Sequence, residues 1–392
     1  MSRAIPLAYS LRSVFQRRTR ALLTVMVMAL VVLAVTVMLS LVSGIRRTLV
    51  TAGEPDNLII IRKGATNDGS SMLPIEAYRA LAHFPGIASG ADGEPLVSPE
   101  MVIQPFFYRP GGGRENVLVR GVRPVAFSVH RNVHIAEGRA PRSSSGEAAV
   151  GRSVVARYGV RLGSDVRFGR RVWKVVGILE AGGSSFESEV WVDVNDLWND
   201  ANRAVYNGLR VKVSPGSDPQ ALMRRVAADP RWSLEAKPEI DYYREQADSA
   251  NFLLRLTLAL GLIMGVAASF GAMNTMFAAV RSRTAEIGTL RALGFSRGSI
   301  LASFVTEALA IAVAGFAVGQ LMAILATLGI NALMKGVAIN LLTFTTATVN
   351  LRVSSQGAVE TLLFATFLGL AGGFLPARRA AGLSPVEALR RR

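Results

Sequence analysis

The residues of this 392-residue chain that could do chemistry are few and poorly matched to one another. Its three histidines are His83, His130 and His134. The last two stand four apart, a spacing that would put both imidazoles on one face of a helix. The surrounding VHRNVHI leans towards β structure, however, and no H-E-x-x-H pattern is present, so structural or surface roles are expected and no metal site. Ser184 and Ser185 follow Gly182-Gly183 but have neither a G-x-S-x-G frame nor an acid–base pair, and read as turn residues. Pro110–Arg114 is glycine-rich, yet no Lys-Ser/Thr or helix start follows to cradle a phosphate. G-x-x-x-x-G-K-[ST] occurs nowhere, and the absence of cysteine excludes disulfides and thiolate metal sites. The chain is therefore expected to be non-catalytic, with no catalytic residue, metal or cofactor of its own.

One stretch does look built for work: RSRTAEIGTLRALGFSRGSI, Arg281–Ile300. Thr284 can cap a short helix whose first turn holds Glu286, close to the positive end of the helix dipole. Ile287, Leu290 and Leu293 recur at three-residue spacing as an apolar stripe, Gly294 is a natural stop, and Ser296 can cap a following helix. An amphipathic helix lying on lipid is the simpler alternative. The stripe is small and lacks Trp, and Glu286 suits anionic headgroups badly, so a protein groove is the better partner.

The elements that must hold this stretch are membrane-like. Half of the residues are hydrophobic, and Ala21–Val42, Leu256–Val280, Ala308–Met334 and Thr361–Ala377 are apolar runs with few or no charges. About 20 such residues cross a bilayer. The first run is longer than the ~7–15 residues of a signal-peptide core and ends in no A-x-A site, so it reads as an uncleaved anchor. The chain carries a net charge of +16, most of it in three short segments. Arg3, Arg12, Arg17, Arg18 and Arg20 precede the first run; Arg281, Arg283, Arg291 and Arg297 surround Glu286; Arg378, Arg379, Arg390, Arg391 and Arg392 outweigh Glu387 at the end. The positive-inside rule places all three segments in the cytoplasm, which makes the basic excess a topology signal and argues against nucleic-acid binding.

The expected organisation is a cytoplasmic segment 1–20, a transmembrane helix 21–43, an extracytoplasmic α+β domain 44–251 in two lobes, and a second helix 252–280. A cytoplasmic hinge 281–299, a third helix 300–334, a short outer loop 335–356, a fourth helix 357–377 and a cytoplasmic tail 378–392 complete it. The fold class is thus an α-helical membrane protein of four spans with an α+β domain inserted between the first two. Within that domain Asp56–Gly64, Glu147–Gly151, Ser188–Leu197 and Tyr206–Val213 read as strands. Asp165–Phe168 and Val172–Ile178 read as a hairpin across Gly169-Arg170, and Pro74–Gly86 and Asp218–Ala228 as helices. Gly261/Gly265 and Gly315/Gly319 are G-x-x-x-G pairs suited to close helix contact, within or between protomers. Two polar residues in or near the spans stand out. Asn274 is placed to bond across helices, and Glu307 is either an interfacial acid bonded to arginine or backbone, the favoured reading, or a proton-coupling group.

Arg281–Phe295 resembles the coupling-helix signature of permeases of the MacB/FtsX/LolC-LolE type. PARRAAGLSPVEALR, Pro376–Arg390, is similar to the ending common in that family. TEALAIAVAGFAVGQ, Thr306–Gln320, and GRSVVARYGVRLGSDVRFGRRVWKVVGILE add weaker resemblance. It implies the permease subunit of an ABC transporter in the inner membrane, paired with a second copy or a paralogue, with both termini cytoplasmic and the large domain periplasmic. Two copies of a separate cytoplasmic ATPase would bind the ATP and Mg. Glu286, Ile287, Leu290, Arg291, Leu293, Gly294 and Phe295 would form the docking surface. Mechanical transmission to the periplasmic domain would export or extract an amphipathic substrate: a lipoprotein, lipid, peptide or antibiotic. The few polar groups in the spans suit that better than a hydrophilic pore. With only 20 residues before the first span, a stand-alone permease is expected rather than one with a fused ATPase. A periplasmic adaptor or outer-membrane channel is left open. The alternative is an FtsX-like signalling permease that activates a periplasmic partner such as a cell-wall hydrolase, and the large inserted domain favours transport over it. A secondary transporter using Glu307 is disfavoured by the coupling motif.

Overall fold

The computed structural model describes residues 18–108, 112–248, 250–340 and 346–385. It divides into a helical unit, made of the chain up to Val42 with Leu253–Gly329 and Leu351 onwards, and an inserted domain, Ser43–Phe252 with Ile330–Asn350. Among the described residues, four helices are long and apolar enough to cross a membrane. The first runs Arg18–Val50, the second Ala250–Ser282, the third Arg297–Met334 and the fourth Ser355–Gly382.

Small residues set the packing inside the helical unit. A Cβ on Gly315 would come 2.6 Å from the Cβ of Met28, and one on Gly319 2.5 Å from the carbonyl oxygen of Ala29. This G-x-x-x-G pair therefore seats the third helix directly on the first, within one protomer. Gly265 faces Leu368 and Phe364, whereas Gly271 meets nothing within 4 Å. From the fourth helix, Gly369 and Gly373 lie against Ala312 and Ala308, and Gly372 against Ser269 and Ala272. Hydroxyls add cross-helix bonds at Thr24–Thr275 (3.1 Å) and Thr36–Gln320 (3.2 Å).

In the inserted domain the strands are β1 (Asn57–Arg62), β2 (Val97–Ile103), β3 (Phe106–Tyr108), β4 (Arg114–Asn116), β5 (Leu118–Val122) and β6 (His134–Gly138). They continue as β7 (Glu147–Gly151), β8 (Asp165–Phe168), β9 (Arg171–Glu180), β10 (Glu189–Asp193), β11 (Gly208–Lys212) and β12 (Leu234–Pro238). Nine lie side by side in the order β12-β1-β11-β2-β5-β10-β7-β9-β6, and β8 pairs with β9 in the expected hairpin. Gly169 makes that turn at a φ of +63°. The strand expected to continue to Leu197 stops at Asp193. There the Asp193 carboxylate accepts the N–H groups of Asn195 and Asp196 and starts the helix Val194–Ala201. Asp218 caps Pro219–Ala228 in the same way.

The two-residue strand period divides the sheet into two faces. Leu58, Ile60, Val97, Met101, Val119, Val190, Val192, Leu209 and Val211 line one continuous apolar core. Ile59, Ile61, Val122, Ala149, Leu179 and Trp191 line the other. The segment expected as a short loop between the third and fourth helices forms a further hairpin, β13 (Val337–Asn340) with β14 (Thr346–Val349). It belongs to the inserted domain: Arg157 donates to the Gly336 carbonyl, Lys335 to that of Ala156, and the Thr348 N–H to Ser188 Oγ.

Candidate functional site

The hinge helix spans Thr284–Ala292, and its two sides are unequal. Ile287 is 2% exposed and packs with Met276, Val280, Ile300, Phe304, Ala308, Ala377, Ala380 and Ala381, with Leu290 partly covered beside it. Ile287 therefore fastens the helix to its own chain and is not available to a partner, a correction to its expected place on the docking surface. Leu293 is 64% exposed. Gly294 follows at a φ of +91° and ends the helix, and Ser296 Oγ accepts the Ser299 N–H to open the next. Thr284 does not cap the hinge helix. Its hydroxyl donates to the carbonyls of Val280 and Arg281, closing the preceding helix instead. Arg291 donates to the Phe295 carbonyl at 3.0 Å and tightens the turn around Gly294.

Electrostatics at the hinge centre on Arg283. Its Nε donates to Glu286 Oε2 at 3.1 Å and its Nη1 to Glu307 Oε2 at 3.2 Å. The Arg283 side chain is 12% exposed, that of Glu307 8% and that of Glu286 58%. Glu307 thus has an arginine partner in the same helical unit. Asn274 is exposed on the second helix and lines an open groove of about 560 Å³ with Phe277, Arg281 and Arg379. Among the described residues it makes no cross-helix hydrogen bond, and its neighbour Thr275 makes one instead. Of the tail motif, residues 386–390 lie outside the described residues.

Sequence reasoning missed an ion-pair network buried in the inserted domain. Four adjacent strands each contribute one charge to it from the second sheet face: Arg210 from β11, Glu100 from β2, Arg120 from β5 and Glu189 from β10. Arg120 donates to both Glu189 oxygens at 2.7 Å and to Glu100 Oε2 at 2.8 Å. Arg210 Nη2 donates to Asp68 at 3.0 Å, while its Nη1 is 2.8 Å from Glu100 Oε2, an ion-pair distance without hydrogen-bond alignment. His130 Nε2 lies 2.7 Å from Glu100 Oε1, Trp191 donates to Glu189, and Glu239 Oε2 accepts from Asn57. All seven ionisable groups are 5% exposed or less. Burial alone would raise the Glu100 pKa, but the charges of Arg210, His130 and Arg120 hold it well below the usual carboxylate range. Burial opposes ionisation of Asp68 too, and Arg210 and Arg120 outweigh it. The visible signal was a charge within each of four strand segments rich in apolar residues, β10 and β11 carrying a second charge, Asp193 and Lys212, at their ends.

This network also settles the histidine pair. His130 follows the one-turn helix Ala126–Val129 as a buried partner of Glu100, whereas His134 begins β6 on the surface. At Ser184–Ser185, Glu187 Oε1 accepts the N–H groups of Ala181 and Gly183, which is turn chemistry. Of Pro110–Arg114, residues 110 and 111 lie outside the described residues, and Arg114 stacks over Phe106 at 4.5 Å.

Comparison with known proteins accounts for both units. The family described as the MacB-like periplasmic core domain matches residues 21–229, and the FtsX-like permease C-terminal family matches 258–385. The macrolide export ATP-binding/permease protein MacB of Neisseria gonorrhoeae is 27% identical over 245 residues, 58% of this chain and 35% of that protein. The ABC transporter permease YknZ of Bacillus subtilis is 27% identical over 226 residues, 55% of this chain and 54% of its own. The chain thus spans about a third of the length of MacB and about half that of YknZ. The solved periplasmic region of MacB from Actinobacillus actinomycetemcomitans aligns at 14% identity and a TM-score of 0.38, over 48% of this chain and 91% of that one.

Proposed function

The chain belongs to the FtsX/MacB-type ABC permease family, and from that premise we propose that it converts the motion of a separate cytoplasmic ATPase into movement of its inserted domain. In this reading the hinge helix is the docking element, the three basic segments face the cytoplasm and the inserted domain faces the periplasm of the inner membrane. Two permeases, identical or paralogous, work with two ATPase copies that hold ATP and Mg. The substrate is an amphipathic molecule exported or extracted at the outer leaflet, in keeping with the macrolide export for which the MacB relative is named.

The observation that carries the proposal is the two-sidedness of the hinge helix. Ile287 anchors it from within, while Leu293 is exposed and Glu286, though bonded to Arg283, is more than half exposed. An exposed leucine beside a charge, on a helix already held from behind, offers a partner contact without loosening the fold. Leu293→Asp and Glu286→Lys in the full chain, co-expressed with its ABC ATPase and reconstituted in liposomes, test it. Both substitutions are expected to abolish co-purification of the ATPase and ATP-dependent release of a fluorescent lipopeptide, with the thermal midpoint of the permease unchanged. Full co-purification and release by both variants would falsify the docking assignment.

A further inference from the structure

Arg283 sits between two acids of very different exposure, one on the hinge helix and one on the third helix. We propose that Arg283 is a positioning residue that pins the hinge helix to the third helix through Glu307, with Glu286 as an exchangeable second partner. The pair makes the hinge helix and the third helix move as one lever. Only this mechanical consequence rests on the docking role argued above; the pin does not.

Three observations converge on it. A guanidinium presents five N–H donors in a planar fork, so one arginine can hold two carboxylates at once, which a lysine ammonium does with less geometric definition. Arg283 uses separate nitrogens for the two acids, Nε for Glu286 and Nη1 for Glu307. Second, the two bonds differ in permanence. The Glu307 bond is shielded, with both side chains nearly buried and the Arg283 guanidinium 5.7 Å from the Phe304 ring centre. The Glu286 bond ends on a carboxylate more than half exposed, where water competes and ion pairs contribute little. A docking partner could take Glu286 while Glu307 keeps its hold. Third, the ionic and apolar fasteners coincide: Arg283, Glu286, Ile287, Leu290, Ile300, Ser303 and Phe304 surround one small recess between the hinge helix and the third helix. Removing Arg283 or Glu307 takes from the other a bond sheltered from water, which weakens the seating of Ile287 beside Arg283.

The chain has no cysteine, so Ile287→Cys provides a single thiol that reagents reach only when the hinge helix lifts. Maleimide labelling of full-length Ile287→Cys in nanodiscs is the measurement, with Thr289→Cys on the exposed side as a control for insertion and fold. Arg283→Gln and Glu307→Gln are each expected to speed labelling on the order of tenfold, and the double variant no more than either single. The charge-exchanged pair Arg283→Glu/Glu307→Arg is expected to return the rate towards the parent, and Glu286→Gln to change it less than about twofold. Singles that leave the rate unchanged, or effects that multiply in the double variant with no recovery on exchange, overturn the pin. The assay contains no ATPase. Slow labelling without ATPase co-purification would retain the pin and sink the docking role; co-purification with labelling insensitive to Glu307 would do the reverse.

Discussion

The inserted domain and the hinge solve the same electrostatic problem, arginine shared between acids, in opposite ways. In the sheet, Arg120 and Arg210 are sealed among Asp68, Glu100, Glu189 and Glu239, and aromatic rings close the site: Phe186 lies 5.4 Å from the Arg120 guanidinium. At the hinge, Arg283 has one sheltered acid and one that faces out. A sealed network cannot exchange partners without opening the core, so it specifies one arrangement of the central strands. A half-open pair can give up its outer partner and keep its inner one. In the proposed mechanism, rigidity belongs in the body that is moved, and exchangeability where it is pushed.

The contrast can be broken from its strongest side first. Arg210→Ala leaves Asp68, Glu100 and Glu239 buried and short of a counter-charge, and is expected to destabilise the inserted domain by about 3–5 kcal/mol. All four tryptophans, Trp173, Trp191, Trp198 and Trp232, lie in that domain, so urea unfolding of the full chain followed by tryptophan fluorescence reads it selectively. A loss near zero would mean that the network is not sealed. Arg120→Lys keeps the charge but loses the bidentate hold on Glu189, and about 1–3 kcal/mol is expected in the same assay.

Acid provides a third test. Asp68 and Glu100 have folded-state pKa values below their unfolded ones, so their contribution is fully present above the unfolded carboxylate range and is lost as pH falls through the lower folded values. The unfolding free energy, and with it the urea midpoint, should therefore decline below about pH 4. A midpoint flat down to about pH 2 would remove the network's role. The smallest effect is expected at the exposed end of the hinge. Glu286→Gln should shift the thermal midpoint of the full chain by no more than the equivalent of about 0.5 kcal/mol. A larger loss would show that Glu286 holds the hinge as firmly as the sheet holds its arginines.

Much of this architecture is legible in the sequence. Long apolar runs and their flanking arginines fix four spans, because a bilayer imposes a length and a charge asymmetry that few other environments do. Gly169-Arg170, Asp218-Pro219 and Gly294 each marked a turn or a helix boundary, since a positive φ or a cap is a local demand met by local residues. Local chemistry also misled. Thr284 looked like an N-cap but closes the helix before it, and Asp193 looked like part of a strand but starts a helix.

Sequence by itself determined the four spans, six strands and two helices of the inserted domain, and the family motif, because these follow from apolar runs and from neighbours in the chain. Tertiary structure alone decided which member of the apolar stripe faces inward, Ile287 rather than Leu293, and which arginine meets Glu307 across 24 positions of sequence. It also decided that Asp68, Glu100, Arg120, Glu189 and Arg210 form one network. Charge partners scattered over more than a hundred positions meet only through strand order and register, and no local pattern encodes either.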